Sequence, residues 1–133
     1  MGVAQYAPAF VDVSADNWFS PYVIQASKLG IVTGYKSNSG NQFKPMQYIT
    51  RAEALKVLLE SKKVVLSDSL KVDYPDVEDY AWYYKYIAYA TDKGIVTGYK
   101  EANSTDQEPI KFRPNSPITR AEFLKMLYLS NQI

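Results

Sequence analysis

The sequence predicts an all-α fold of two tandem helix-loop-helix repeats packed in a pseudo-symmetric arrangement. Three observations predict it. Gly30 to Lys36 reads Gly-Ile-Val-Thr-Gly-Tyr-Lys and recurs at Gly94 to Lys100, an offset of 64 residues. Ile49 to Glu53 reads Ile-Thr-Arg-Ala-Glu and recurs at Ile118 to Glu122, an offset of 69. Apolar residues around these motifs recur at helical spacing in both copies. The five-residue difference in offset falls between Lys100 and Phe112, in a polar stretch that reads as a loop.

The order of features is kept twice. Asp12-Val13 answers Asp76-Val77, Trp18 answers Trp82, and Phe43-x-Pro45 answers Phe112-x-Pro114. The expected organisation is an N-terminal tail at 1–9, a first repeat at 10–60, a connector at 61–73 and a second repeat at 74–133.

In the first helix of each copy, Phe19, Tyr22, Val23 and Ala26 match Tyr83, Tyr86, Ile87 and Ala90. The spacing i, i+3, i+4, i+7 makes one apolar face. Ser20 before Pro21 suits an N-cap followed by N1. Gly30 and Gly94 suit the left-handed residue that ends a helix. Ile-Val-Thr is then a short extended stretch, with no sheet expected beyond a short pairing, and Gly34 and Gly98 allow the next bend.

The second helix of each copy starts at Thr50 and Thr119. Thr-Arg-Ala-Glu is a capping box, in which Thr50 and Thr119 cap the N3 amide and Glu53 and Glu122 reach back. Ala52, Leu55, Leu58 and Leu59 form the stripe behind it, repeated as Ala121, Leu124, Leu127 and Tyr128. A unit this small cannot bury such a face alone, so the copies are expected to pack together.

Composition removes several function classes. The chain of 133 residues carries 15 basic and 14 acidic side chains, a net charge of +1. That balance gives no field for nucleic acid. No apolar run approaches the roughly 20 residues of a membrane-spanning helix, and Met1 to Ala9 lacks the pattern of a secretory signal. With neither cysteine nor histidine, thiol chemistry, the usual zinc clusters and a Ser-His-Asp triad are out. Asp73, Asp76, Glu78 and Asp79 lie in one loop rather than across a cleft, so no enzyme is expected. Neither they nor Asp12 with Asp16 have the spacing of a calcium loop. No cofactor and no metal site are expected.

Arg51 and Arg120 occupy N1 of their helices, where the positive end of the dipole disfavours a cation. An arginine there contributes little to the helix itself. It does combine a guanidinium with free helix amides, which suits an anion. Trp18 and Trp82 are read first as core residues and second as platforms for a sugar face. Asp12 and Asp76 either brace a turn or touch a polymer. Tyr80, Tyr84 and Tyr89 have polar counterparts in the first copy and are expected at the surface.

The order Phe10-x-Asp12-Val13, Trp18, Gly-Ile-Val-Thr-Gly-Tyr-Lys, Phe43-x-Pro45 and Ile-Thr-Arg-Ala-Glu resembles the S-layer homology domain, and Tyr74 to Tyr128 resembles it equally. The resemblance implies a secreted module at the bacterial cell surface that anchors its protein to the wall. It implies binding of a secondary cell-wall polysaccharide, often pyruvylated, with Arg51 and Arg120 as ligand contacts. Trp18, Trp82, Gly34, Gly98, Asp12 and Asp76 are further candidates for that site. Members usually carry three repeats around a pseudo-threefold axis, and this chain has two, which also raises the prospect of a homo-oligomer. A purely structural oligomerisation module is the alternative function.

Overall fold

A computed structural model of the chain describes residues 10–100 and 109–132. The tail at 1–9 and most of the extra residues of the second copy lie outside the described residues. The elements run α1 (Ser20–Lys28), β1 (Tyr35–Ser37), β2 (Gly40–Gln42), α2 (Arg51–Ser61), α3 (Tyr84–Asp92) and α4 (Arg120–Ser130). The chain divides into two compact units, Met1–Gln47 and Tyr48–Ile133. The repeat in sequence and the unit in space are therefore offset, because α2 lies in the same unit as the whole second copy.

The all-α expectation is overturned. β1 and β2 form a two-stranded antiparallel sheet in which Tyr35 faces Gln42 and Ser37 faces Gly40. The second copy has the matching bridge, Tyr99 to Lys111, with amide–carbonyl distances of 2.6 and 3.0 Å. The fold is mixed α and β. The reason is backbone satisfaction: the chain must turn back towards Phe43 or Phe112, and pairing satisfies the amides of the returning segment. Gly40, at φ +120°, lets the turn close. These strands are largely exposed, so no alternation of apolar residues marks them in the sequence.

In the unit Met1–Gln47, Phe10, Val13 and Val23 form the core, with Phe19 and Phe43 packed against it. α1 begins without a side-chain cap. Phe19 is its N-cap and Ser20 its first residue, buried at 2% exposure. The serine amide donates instead to the Asn17 carbonyl at 3.0 Å, in a tight turn leading into the helix. The end of α1 follows the sequence. The Ile31 amide donates to the Ala26 carbonyl and the Gly30 amide to that of Ser27, with Gly30 at φ +74°. This is the Schellman arrangement. Ile95 to Ala90 and Gly94 to Thr91 repeat it at the end of α3.

In the unit Tyr48–Ile133, α2 packs along α3 and against α4. Its core gathers Leu55, Leu58 and Leu59 of α2, Ile87 and Ala90 of α3, Met126 of α4, and Tyr74, Val77, Ile95, Val96 and Phe112 from the connecting segments. Tyr84 and Tyr89 are part-buried against this core rather than exposed, and only Tyr80 of the three stands out, at 84% exposure. Tyr84 both donates to the Val72 carbonyl and accepts from the Val72 amide, which ties α3 to the connector. Tyr86 donates to Glu60 of α2; burial, followed by this carboxylate, pushes its phenol up to about 12.

Each unit carries one carboxylate brace. Asp12 accepts from the amides of Phe43 and Lys44 at 2.8 and 2.7 Å. Asp76 accepts from those of Phe112 and Arg113 at 2.9 and 2.8 Å. Lys44 and Arg113 sit at φ +59° and +61°. The brace holds a non-glycine residue in the left-handed region, where side chains are strained. It also positions an aromatic pair in each copy, Phe10 with Phe43 and Tyr74 with Phe112, both at 5.6 Å between centroids.

Burial acts to raise the Asp12 carboxyl, but the amides of Phe43 and Lys44 outweigh it and hold the group below its ordinary 3.8. A depressed carboxylate stabilises the fold fully above the unfolded-state value and loses that contribution as pH falls through the folded one. Asp12→Asn is therefore expected to lower the urea midpoint by a constant amount from pH 7 to about pH 5. The gap to the parent protein should narrow in more acid solution, and a gap that widens there would contradict the brace.

Candidate functional site

The two capping boxes form as the sequence indicates. Thr50 accepts from the Glu53 amide at 3.1 Å, and Glu53 accepts from the Thr50 amide at 3.0 Å. Thr119 and Glu122 repeat this, both at 3.1 Å. Beyond the caps the sister helices part. At the start of α2 the Arg51 amide donates to the Ser116 carbonyl at 2.9 Å and the Ala52 amide to that of Pro114 at 3.0 Å. The segment 114–118 thus lies across the helix start, and an isolated bridge of Thr50 with Pro117 continues it. Orphan amides of the helix are satisfied by a stretch more than sixty residues away in sequence.

This placement drives the Arg51 side chain into the unit. Its Nε donates to the Phe112 carbonyl at 3.0 Å, and its Nη1 to the Tyr99 hydroxyl at 3.0 Å and to Glu122 Oε2 at 2.8 Å. The guanidinium lies 4.4 Å from the centre of the Tyr99 ring and 4.6 Å from that of Phe112. Arg51 is 5% exposed. Burial pulls its pKa below the usual value and Glu122 opposes that; guanidinium basicity keeps it charged. An N1 arginine contributes little to the helix itself, but Arg51 contributes to the packing of the unit. The helix dipole is a small effect beside three hydrogen bonds and two ring faces supplied by the second copy.

Beside Arg51 lies a cleft of about 100 Å³, lined by Val96, Thr97, Gly98, Tyr99, Glu122 and Lys125 among others. Two candidates from opposite copies of the repeat, Arg51 and Gly98, are brought together there. Gly98 sits at φ +82°, and an added Cβ would lie 2.9 Å from the Lys111 carbonyl oxygen and 2.7 Å from Ile110. Only glycine fits. Gly34 repeats the requirement at φ +73° against Phe10 and the Gln42 carbonyl. Glu122 is held twice, by Arg51 and by its own cap. Lys125 is an exposed cation at the cleft.

The other candidates lie elsewhere. Arg120 is exposed, does not line the cleft, and makes no ion pair among the described residues. Both oxygens of Asp12 and of Asp76 are engaged by backbone amides. The tryptophans are not core residues: Trp18 is 78% and Trp82 53% exposed. Each lies edge-on to the next ring along the chain, Phe19 at 5.5 Å and Tyr83 at 5.4 Å, which leaves much of the indole in solvent. Lys56 stands 5.7 Å from the centre of the Trp82 ring. Sequence reasoning missed Tyr99 and Lys125. Both carry a signal in the repeat, since Tyr99 answers Tyr35 and Lys125 answers Lys56.

Two copies of one architecture, each with a capped Thr-Arg-Ala-Glu helix and a glycine-only bend, define the chain. Residues 9–55 and 73–124 each match the S-layer homology domain. The chain belongs to that family. An S-layer homology domain is a binding and anchoring module, and this one is of the bacterial cell surface, secreted and associated with the cell wall. It is 33% identical over 129 residues to an endoglucanase of Bacillus sp. (strain KSM-635), covering 93% of this chain and 12% of that protein. It is 30% identical over 115 residues to the surface-layer 125 kDa protein of Lysinibacillus sphaericus, covering 86% of this chain and 9% of that one. It is 31% identical over 96 residues to a cellulosome-anchoring protein of Acetivibrio thermocellus, covering 70% of this chain and 20% of that one. The chain thus spans no more than a fifth of these relatives.

The two arginines of this S-layer homology pair should separate in stability. Arg51→Ala removes a buried side chain with three hydrogen bonds, leaves the part-exposed Glu122 unpaired, and should cost about 2–4 kcal/mol in urea unfolding. Arg120→Ala changes an exposed side chain and should stay within about 0.5 kcal/mol of the parent. Equal effects would contradict the burial of Arg51.

Proposed function

We propose that the cleft beside Arg51 binds an anionic group of a secondary cell-wall polysaccharide, such as a pyruvyl carboxylate, or another peptidoglycan-linked glycan. The observation that carries this reading is the meeting of Arg51, Gly98 and Lys125 in one cleft. Arg51 and Glu122 neutralise one another, so Lys125 leaves the site with one net positive charge. Gly98 keeps the backbone open to a ligand. Arg51 is anchored behind, with its orientation set by Phe112 and Tyr99, so its charge is preorganised rather than mobile. Lys125, a compact cation on a flexible stem, adapts to the incoming anion. Arg120, at the same position of the other motif, is exposed and free to meet ligand in its own right. Trp18 and Trp82 offer exposed indole faces of the type that stack on sugars.

The test is co-sedimentation with purified bacterial cell walls, before and after chemical removal of the polymers attached to peptidoglycan. The parent protein should bind untreated walls, lose binding to stripped ones, and release as salt screens the pairing. Lys125→Glu should weaken binding while the circular dichroism and the urea midpoint stay those of the parent. A reversal at Lys71, away from the cleft, should not. Undiminished binding by Lys125→Glu, or equal binding to stripped walls, would overturn the proposal.

A further inference from the structure

The sister helices α2 and α4 share seven of eleven residues, Arg-Ala-Glu-Ala-Leu-Lys-Val-Leu-Leu-Glu-Ser and Arg-Ala-Glu-Phe-Leu-Lys-Met-Leu-Tyr-Leu-Ser. They end up in opposite environments. Along α2, Arg51 is 5% exposed, and Ala52, Leu55 and Leu59 are each 0%. Their counterparts on α4 stand open: Arg120 and Ala121 are exposed, Leu124 is 59% and Tyr128 64% exposed. Among the described residues the Arg120 and Ala121 amides find no backbone carbonyl such as Ser116 and Pro114 provide for Arg51 and Ala52.

The surface that receives α2 also has a sister. In the second copy it comprises Tyr86, Ile95, Val96 and Phe112. Ile95, Val96 and Phe112 are sealed at 1%, 5% and 0% exposure, and Tyr86 is half-buried against Glu60. The equivalent residues of the first copy are Tyr22, Ile31, Val32 and Phe43. Tyr22 is 70% exposed, and the other three are only partly covered. The protein thus presents one uncovered donor helix face and one uncovered acceptor face. The packing of α2 on the second copy shows how two such faces fit.

We propose that α4 of one molecule docks on the Met1–Gln47 unit of a second copy, reproducing the contact that α2 makes within each chain. Leu124 and Tyr128 then cover Ile31, Val32 and Tyr22. Arg120 meets the carbonyl of Phe43 and the ring of Tyr35, as Arg51 meets those of Phe112 and Tyr99. The contact is head-to-tail, with different surfaces on the two partners, so it either closes into a ring or extends.

A heterologous contact has a signature that a symmetric one lacks. Sedimentation of the parent chain over a dilution series should give a mass that rises with concentration above the 15.1 kDa monomer. Leu124→Glu spoils the donor face and Tyr22→Glu the acceptor face, both at exposed positions. Each variant alone should remain monomeric with unchanged circular dichroism. Mixed, they should associate, because each retains the face that the other lacks. A parent chain that stays monomeric at every concentration, variants that associate like the parent, or a mixture that stays monomeric would each overturn the proposal.

Discussion

The packing of this S-layer homology pair depends on one buried cation. Arg51 has few ways to be satisfied once it leaves water, and a charged group buried without partners costs several kcal/mol. Here the second copy provides a carbonyl, a hydroxyl, a carboxylate and two ring faces. Those partners come from the segment before α4, from the end of the repeated glycine motif and from α4 itself. None can shift by an ångström without loosening the guanidinium. The arginine therefore sets where α2 sits and, through it, the shape of the cleft.

The same constraint explains why repeat and packing unit are out of step. The two capped helices are locally equivalent, yet α2 lies within the core of the second copy and α4 keeps one flank open. The difference follows from what packs on each: α2 receives the segment 114–118 across its start and α3 along its side, and the start of α4 receives no such segment among the described residues. A motif repeated in sequence thus carries two roles. At Arg51 it is a structural anchor bordering a cleft, and at Arg120 it is an exposed group available to a partner.

Features held by contacts a few residues apart were legible in the sequence. The capping boxes at Thr50 and Thr119 and the glycine stops at Gly30 and Gly94 need only neighbours within one turn. The bends at Gly34 and Gly98 were legible too. Features held by distant partners were not. The hairpin at Tyr35–Ser37 and Gly40–Gln42 is the local exception: its partners are near in the chain, but it is polar and exposed, so it leaves no hydrophobic period to read. The tryptophans were misplaced because indole size suggests burial, whereas exposure is decided by what packs above. Of the candidate site, Arg51 and Gly98 were named from the motif, but their meeting was hidden, since 47 residues separate them in the chain.

The most direct test of this account is a double-mutant cycle between Arg51 and Glu122, measured by urea unfolding with Arg51→Met, Glu122→Gln and the double variant. Gln keeps the length of Glu and the reach back to the Thr119 amide, and Met keeps an unbranched apolar stem in place of the arginine's. The pair, with Arg51 buried and Glu122 part-exposed, predicts a coupling energy of about 1 kcal/mol or more. A coupling indistinguishable from zero would show that the arginine is not anchored by the second copy, and would contradict the packing on which the cleft depends.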